Sequence, residues 1–250
     1  MPFTFAHPLY AAPLKLAKPG LFSLTGLTLG SMSPDFEYFI ALEPYQTIGH
    51  SLTGLLFQAL PLCILFALLF HHVVKRPLAE HLPSVLGLDE RARRLVRLYP
   101  WEMSGGTRWF LFLLSVVIGF FSHLFVDAFT HEHGIVVTRW SLLREEVLGM
   151  PVYKLLQHGL SLLGLLGIAV FVFAALRGAG AGEPAGYAGG AGYGSKIRYW
   201  GVTAAVIVIT VCVKLIFSPG GNLIGILVVS PITGFLLGLL VASAISKLSS

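Results

Sequence analysis

The stretch WFLFLLSVVIGFFSHLFVDAFTH, Trp109–His131, decides the fold. Its only formal charge is Asp127. A helix rises 1.5 Å per residue, so a run of roughly 20 apolar residues crosses the hydrocarbon core of a bilayer. Trp109–Phe129 meets that length, and so, at roughly 17 residues or more, do Leu52–Phe70, Leu155–Leu176, Trp200–Phe217 and Leu223–Ile245. The whole chain agrees with this reading. It is 55% hydrophobic and 12% charged with mean hydropathy +0.80, whereas a soluble domain carries roughly a quarter charged residues. The expected class is all-α: a polytopic membrane helix bundle with about five transmembrane helices.

Outside these runs the sequence changes character. Pro13, Pro19, Pro34 and Pro44 cut the first 50 residues into pieces too short to span, which predicts an N-terminal region of half-helices packed on the bundle. Met1–Tyr10 has no basic segment ahead of an apolar one, so no cleaved signal peptide is expected. Asp89–Leu98 (DERARRLVRL) starts acidic and then sets leucines among arginines, the pattern of a short helix at the headgroups. Residues 177–195 are rich in Gly and Ala without periodicity and read as a flexible linker, expected to be dispensable for any site. The expected division is therefore a helical membrane domain over 1–176, a Gly-rich linker over 177–199 and a two-helix hairpin over 200–250. Cys63 and Cys212 both lie in apolar runs and read as small core residues, with no disulfide framework. Gly221–Gly225 and Gly234–Gly238 have the G-x-x-x-G spacing that lets helices approach closely. Lys214, near the end of its run, reads as a snorkelling lysine.

The net charge of +5 does not indicate nucleic-acid binding, because seven of the basic residues fall within 75–108, a single inter-helix segment. Alternate loops hold eleven and five Lys or Arg residues. The positive-inside tendency then makes 75–108 cytoplasmic and puts 130–154 outside. Membrane lipids are the expected partners, and the localisation is a multi-pass protein of the cell membrane.

The chemistry gathers at one end of the predicted helices. His123, Asp127 and His131 are spaced at intervals of four and share one helical face. Imidazole and carboxylate one turn apart suit zinc and several other first-row divalent metals. Taken alone, the spacing equally fits a capped helix end. His50 opens the first helix, His123–His131 close the second and His158 opens the third, so an up-and-down path returns all of them to one membrane face. His7 and Asp35 precede the first helix and reach the same face. Each has a structural reading as well: His7 before Pro8 orders a turn, Asp35 after Pro34 caps a helix, and His50-Ser51 starts one. Together His7, Asp35, His50, His123, Asp127 and His158 on one face, with His131 joining them, favour a divalent-metal site on the extracytoplasmic side. Glu37 and Glu132 are general-base candidates, and His133 directly follows Glu132. His71, His72 and His81 belong to the other end and read as interfacial or solvated.

The segments PFTFAHP, LGSMSPDFEYF, GHSLTG, SHLFVDAFTHEHG and LLQHGLS, between residue 2 and about residue 165, resemble a family of bacterial and archaeal membrane proteins that open with the PFTFAHP motif. Their order of His, Pro-Asp, His-Ser and Ser-His-x-x-x-Asp is similar to that of the predicted membrane-bound metal-dependent hydrolases. More distantly, it resembles the zinc-dependent phospholipase C and single-strand nuclease superfamily. The order of that superfamily's ligands would be met by His7, Asp35, His50, His123, Asp127, His131 and His158. Its N-terminal Trp ligand has no counterpart here, and Leu162 stands where its final Glu would follow His158. The resemblance thus implies one or two ions, with zinc as the metal, and phosphoester hydrolysis as the chemistry. A site at the interface points to a lipid or amphiphilic substrate. The alternatives are a divalent-metal transporter and a structural protein held together by its metal.

Overall fold

The structure is a computed structural model that describes residues 3–101, 103–180, 190–218 and 221–249. It is all-α apart from one two-stranded hairpin. The N-terminal region comprises α1 (Pro8–Ala11), α2 (Pro13–Ala17), α3 (Leu24–Met32) and α4 (Phe36–Ala41), with Pro8 and Pro13 in the first turns of their helices. There follow α5 (Leu52–His81), α6 (Leu88–Leu98), α7 (Gly106–Thr130) and α8 (Ile135–Arg139). The hairpin β1 (Glu146–Val147) and β2 (Met150–Pro151) precedes α9 (Val152–Ala179), α10 (Tyr193–Phe217) and α11 (Leu223–Leu248). Among the described residues, five helical stretches are long and apolar enough to cross a membrane: α5, Gly106–Arg139, α9, α10 and α11. This is the helix complement of a multi-pass membrane protein.

The first helix runs further than its apolar core, to His81 rather than Phe70. It widens into π-turns at Leu55–Ala59 and Phe70–Val74. Each is followed by a proline, Pro61 and Pro77, that lacks the N–H for the carbonyl four residues earlier. Those carbonyls, of Phe57 and Val73, lie inside the two π-turns, and the extra width relieves the clash with the ring.

The chain groups into two compact units, each drawn from three separate stretches of sequence. One comprises Met1–Phe36, Thr47–Ala67 and Met103–Phe171; the other Glu37–Gln46, Leu68–Glu102 and Val172–Ser250. The Gly-rich segment is shorter than the sequence predicted. Residues 177–179 continue α9 and 193–199 begin α10, because Ala and Gly accept helical geometry once a packed helix extends into them. Residues 181–189 of the expected linker lie outside the described residues.

In the first unit α3 crosses α7 at backbone distance. A Cβ at Gly26 would lie 2.6 Å from the Phe112 carbonyl oxygen and one at Gly119 would lie 2.5 Å from that of Leu27, and Gly30 meets Val116 just as closely. The N-terminal segment is fastened to α9. The Phe3 N–H donates to Ser161 Oγ at 3.0 Å, the Tyr10 hydroxyl donates to the Leu160 carbonyl at 2.6 Å, and Ala6 lies against Gly164.

In the second unit Gly234 and Gly238 receive the backbone of Ile207 and Thr203, so one of the two predicted glycine pairs packs α11 on α10. Gly225 instead sits against Pro44. Two readings need correction. Lys214 does not snorkel free; it pairs with Glu43 at 2.8 Å. His81 is not solvated but buried, its Nδ1 2.8 Å from the Pro77 carbonyl and its Nε2 3.0 Å from Ser195 Oγ. A sequence cannot show that a later helix will cover such a residue. Cys63 is buried as expected, while Cys212 is exposed on α10, since an apolar run does not reveal which face meets lipid.

Candidate metal centre

Five residues from four separated segments converge in the first unit. His7 ends the short 3-10 turn Thr4–Ala6, Asp35 closes the 3-10 turn Ser33–Asp35 behind Pro34, His50 stands just ahead of α5, and His123 and Asp127 lie one turn apart on α7. His7, Asp35, His123 and Asp127 are buried; the His50 side chain is 22% exposed and forms an edge open to the outside.

Asp127 is the hub. Its Oδ2 lies 3.1 Å from His123 Nε2 and 3.2 Å from His50 Nε2, and its Oδ1 lies 3.7 Å from His7 Nε2. Asp35 Oδ1 lies 3.7 Å from His123 Nε2 and 3.8 Å from His50 Nε2. Two groups therefore have donor atoms within 4.8 Å of one another: His7, His123 and Asp127, and Asp35, His50 and His123. These groups could hold a metal ion.

The state of each ring follows from its partners. A carbonyl only accepts, so the 2.7 Å contact between His123 Nδ1 and the Ser31 carbonyl makes Nδ1 the protonated nitrogen. Nε2 is left with its lone pair facing the carboxylates, the arrangement by which second-shell carbonyls orient ligating histidines. The His7 ring stacks on His123 at 3.8 Å between centroids. Burial first, and the neighbouring His123 second, push the His7 pKa down to about 3, so His7 is neutral at physiological pH. Burial raises the pKa of Asp35, against the pull of His123 and of a 2.6 Å hydrogen bond donated by Thr4 Oγ1 to Oδ2.

The hydrogen-bond inventory is unbalanced. His7 Nδ1 and Nε2, Asp35 Oδ1, His123 Nε2 and Asp127 Oδ1 are buried without a hydrogen-bond partner. Buried polar atoms normally find one; the 3.7–3.8 Å contacts of His7 Nε2 and Asp35 Oδ1 are too long to serve, and at 3.1 Å His123 Nε2 turns a lone pair, not a proton, to Asp127 Oδ2. The donor separations suit a cation instead. Two ligands about 2.0–2.1 Å from a tetrahedrally coordinated divalent ion would stand about 3.3 Å apart, so the observed 3.1–3.8 Å could admit one. A divalent cation could also offset the charge of the two buried carboxylates.

The remaining predicted residues lie at the rim or elsewhere. His131 caps α7 with its side chain 30% exposed, and its Nδ1 is 3.2 Å from the Asp127 carbonyl and 3.5 Å from Asp127 Oδ1. Glu132 and His133 follow it and are exposed. His158 is exposed on α9 and stands outside both donor groups. Glu37 is half-buried at the start of α4 and falls in the other compact unit. Sequence reasoning missed Thr4 and the Ser31 carbonyl. A signal for the latter was available in Gly26-x-x-x-Gly30, which announces the close crossing that delivers Ser31 to His123.

A family model described as Domain of unknown function (DUF4184) matches residues 1–244. The chain belongs to this family. No curated protein and no solved structure matches it. The DUF4184 match spans both compact units, so the donor cluster and the helices beyond it fall within one family model. No named relative stands behind the likeness to hydrolases or to phospholipase C.

Proposed function

We propose that this protein is a membrane-embedded metal-dependent hydrolase, a phosphoesterase acting on a lipid or other amphiphilic substrate at the membrane interface. The observation that carries the reading is the convergence of three imidazoles and two carboxylates with five of their polar atoms buried and unpartnered. Imidazole with carboxylate favours zinc. Asp35, His50, His123 and Asp127 Oδ2 would hold one ion; His7, facing the other oxygen of Asp127, marks a place for a second.

Asp35, His50, His123 and Asp127 would hold a divalent cation, which when bound would supply a lowered pKa for water and polarisation of a phosphoester. The protein's own residues supply the rest. His123 is kept in one tautomer by Ser31, and Thr4 orients Asp35. The partly exposed His50 and His131 form the edge from which a substrate approaches. Transport is the weaker reading, because the donors gather at one end of α7 instead of at several depths along a path.

The test is hydrolysis of a chromogenic phosphodiester and of phospholipids in nanodiscs by purified protein, metal-stripped and reloaded with zinc. Activity restored by zinc and absent from Asp127→Asn supports the proposal. Bound zinc without turnover of either substrate class would leave a structural site and sink the hydrolase reading.

A further inference from the structure

The segment between α8 and α9 contains a feature that the donor cluster does not use. Leu148 and Gly149 form the two-residue turn between β1 and β2, with Val147 paired to Met150. Both have positive φ, +55° and +76°. A turn of this kind favours Asn, Asp or Gly, and a leucine there is strained. Leu148 is also 90% exposed. In water that position is unfavourable twice over, once for the backbone and once for the side chain.

The hairpin does not fold back to hide it. Its base is planted in a small core of Val137, Leu143 and Tyr153, and the Val152 N–H donates to the Glu145 carbonyl at 3.0 Å. The tip is thus held outward by a fixed foot, with Val147 and Met150 exposed beside Leu148. Trp140 is 60% exposed at the foot, among exposed Arg139, Arg144 and Lys154. Tryptophan and basic side chains around an apolar tip match the layering of headgroups over acyl chains. Exposed Glu145 and Glu146 offset most of that positive charge, so the match is to the interface itself and not to an anionic headgroup.

The same device occurs a second time. Leu86 and Gly87, between α5 and α6, have φ of +55° and +69°, and Leu86 is again 90% exposed, next to Val85 at 70%. Both Leu-Gly tips lie outside the membrane-spanning helices, in segments that adjoin them.

We infer that the Leu148 hairpin is an interfacial anchor whose tip lies among the lipid acyl chains beside the ends of α7 and α9. The inference does not depend on the hydrolase reading. A lipid environment removes the exposure cost that water would impose, and it explains why leucine occupies a turn position suited to asparagine.

The experiment places a single cysteine, Leu148→Cys, in a background of Cys63→Ala and Cys212→Ser. It is labelled with an environment-sensitive fluorophore and the full chain is reconstituted in phosphatidylcholine nanodiscs. Blue-shifted emission that is lost when brominated acyl chains replace the ordinary ones is the expected result. Red-shifted emission quenched by aqueous iodide overturns the inference. Blue-shifted emission untouched by brominated lipid also overturns it, since the tip would then be covered by protein, such as a second copy. Leu148→Asn keeps the turn and so separates anchoring from folding: amides of residues 147–150 should exchange faster in nanodiscs than in the parent. Equal exchange in both would count against anchoring.

Discussion

The carbonyl of Ser31 accepts a 2.7 Å hydrogen bond from His123 Nδ1, across 92 residues of sequence. The bond exists because three glycines let α3 and α7 touch backbone to backbone, and its effect is to aim the lone pair of Nε2 at two buried carboxylates. Packing and site chemistry are therefore coupled, and the coupling can be tested.

Replacing Gly30 or Gly119 with valine should separate α3 from α7. The added methyl groups meet backbone atoms that cannot swing aside, so a loss of about 1–3 kcal/mol is expected from overpacking. Unfolding in mixed micelles should show it. Metal content should fall in the fraction that remains folded, as Ser31 withdraws from His123. Normal stability in both variants would mean that the crossing is looser than described.

Metal content itself divides the predicted ligands into two sets. Elemental analysis of detergent-purified protein should show near-complete loss in His123→Ala and Asp127→Asn, and little change in His158→Ala. Asp35→Asn keeps the shape and its contact with Thr4, so its deficit would report lost charge more than lost packing. Loss in His158→Ala as large as in Asp127→Asn would contradict the placement of His158.

Acidity should act on the metal-free protein through two groups of opposite sign. His7 has a folded pKa of about 3 against the ordinary 6.5, so its contribution to stability is complete above 6.5 and declines as pH falls toward 3. Asp35 is raised above 3.8, so its contribution is present at low pH and declines as pH climbs through the raised value. His7→Phe should flatten the acid limb of a plot of unfolding midpoint against pH. A ligating carboxylate must also lose its proton, so metal affinity measured by calorimetry should strengthen from acid toward neutral pH. Affinity independent of pH over that range would argue against Asp35 as a ligand.

Consecutive crossings put the segments on either side of α7 on opposite membrane faces. The seven Lys and Arg residues of 75–108 should make that segment cytoplasmic and 130–154 external. Cysteines introduced singly into each, in a background lacking Cys63 and Cys212, should react with an impermeant maleimide from opposite sides of intact cells or spheroplasts. Reaction from one side only would refute α7 as a single crossing; exchanged sides would refute only the orientation.

The sequence alone determined the five apolar helices, because hydrocarbon accepts only long uncharged runs whose backbone bonds close internally, and that requirement is written residue by residue. It also determined His123 and Asp127 as partners, since helical spacing puts them on one face. His7, Asp35 and His50 joined them through an argument about helix ends, which named the right neighbourhood without fixing any distance. The same argument included His158, which is exposed on α9 outside both donor groups, because being at a helix end does not settle which way a side chain points. Only the tertiary structure decided that Asp127 is the hub, that Thr4 and the Ser31 carbonyl orient Asp35 and His123, and that Lys214 pairs with Glu43. These contacts join residues far apart in the chain, and their geometry depends on how closely two backbones approach. A single glycine can set that distance; a spacing such as Gly26-x-x-x-Gly30 announces a close crossing, but the partner it meets is fixed only by the packed structure.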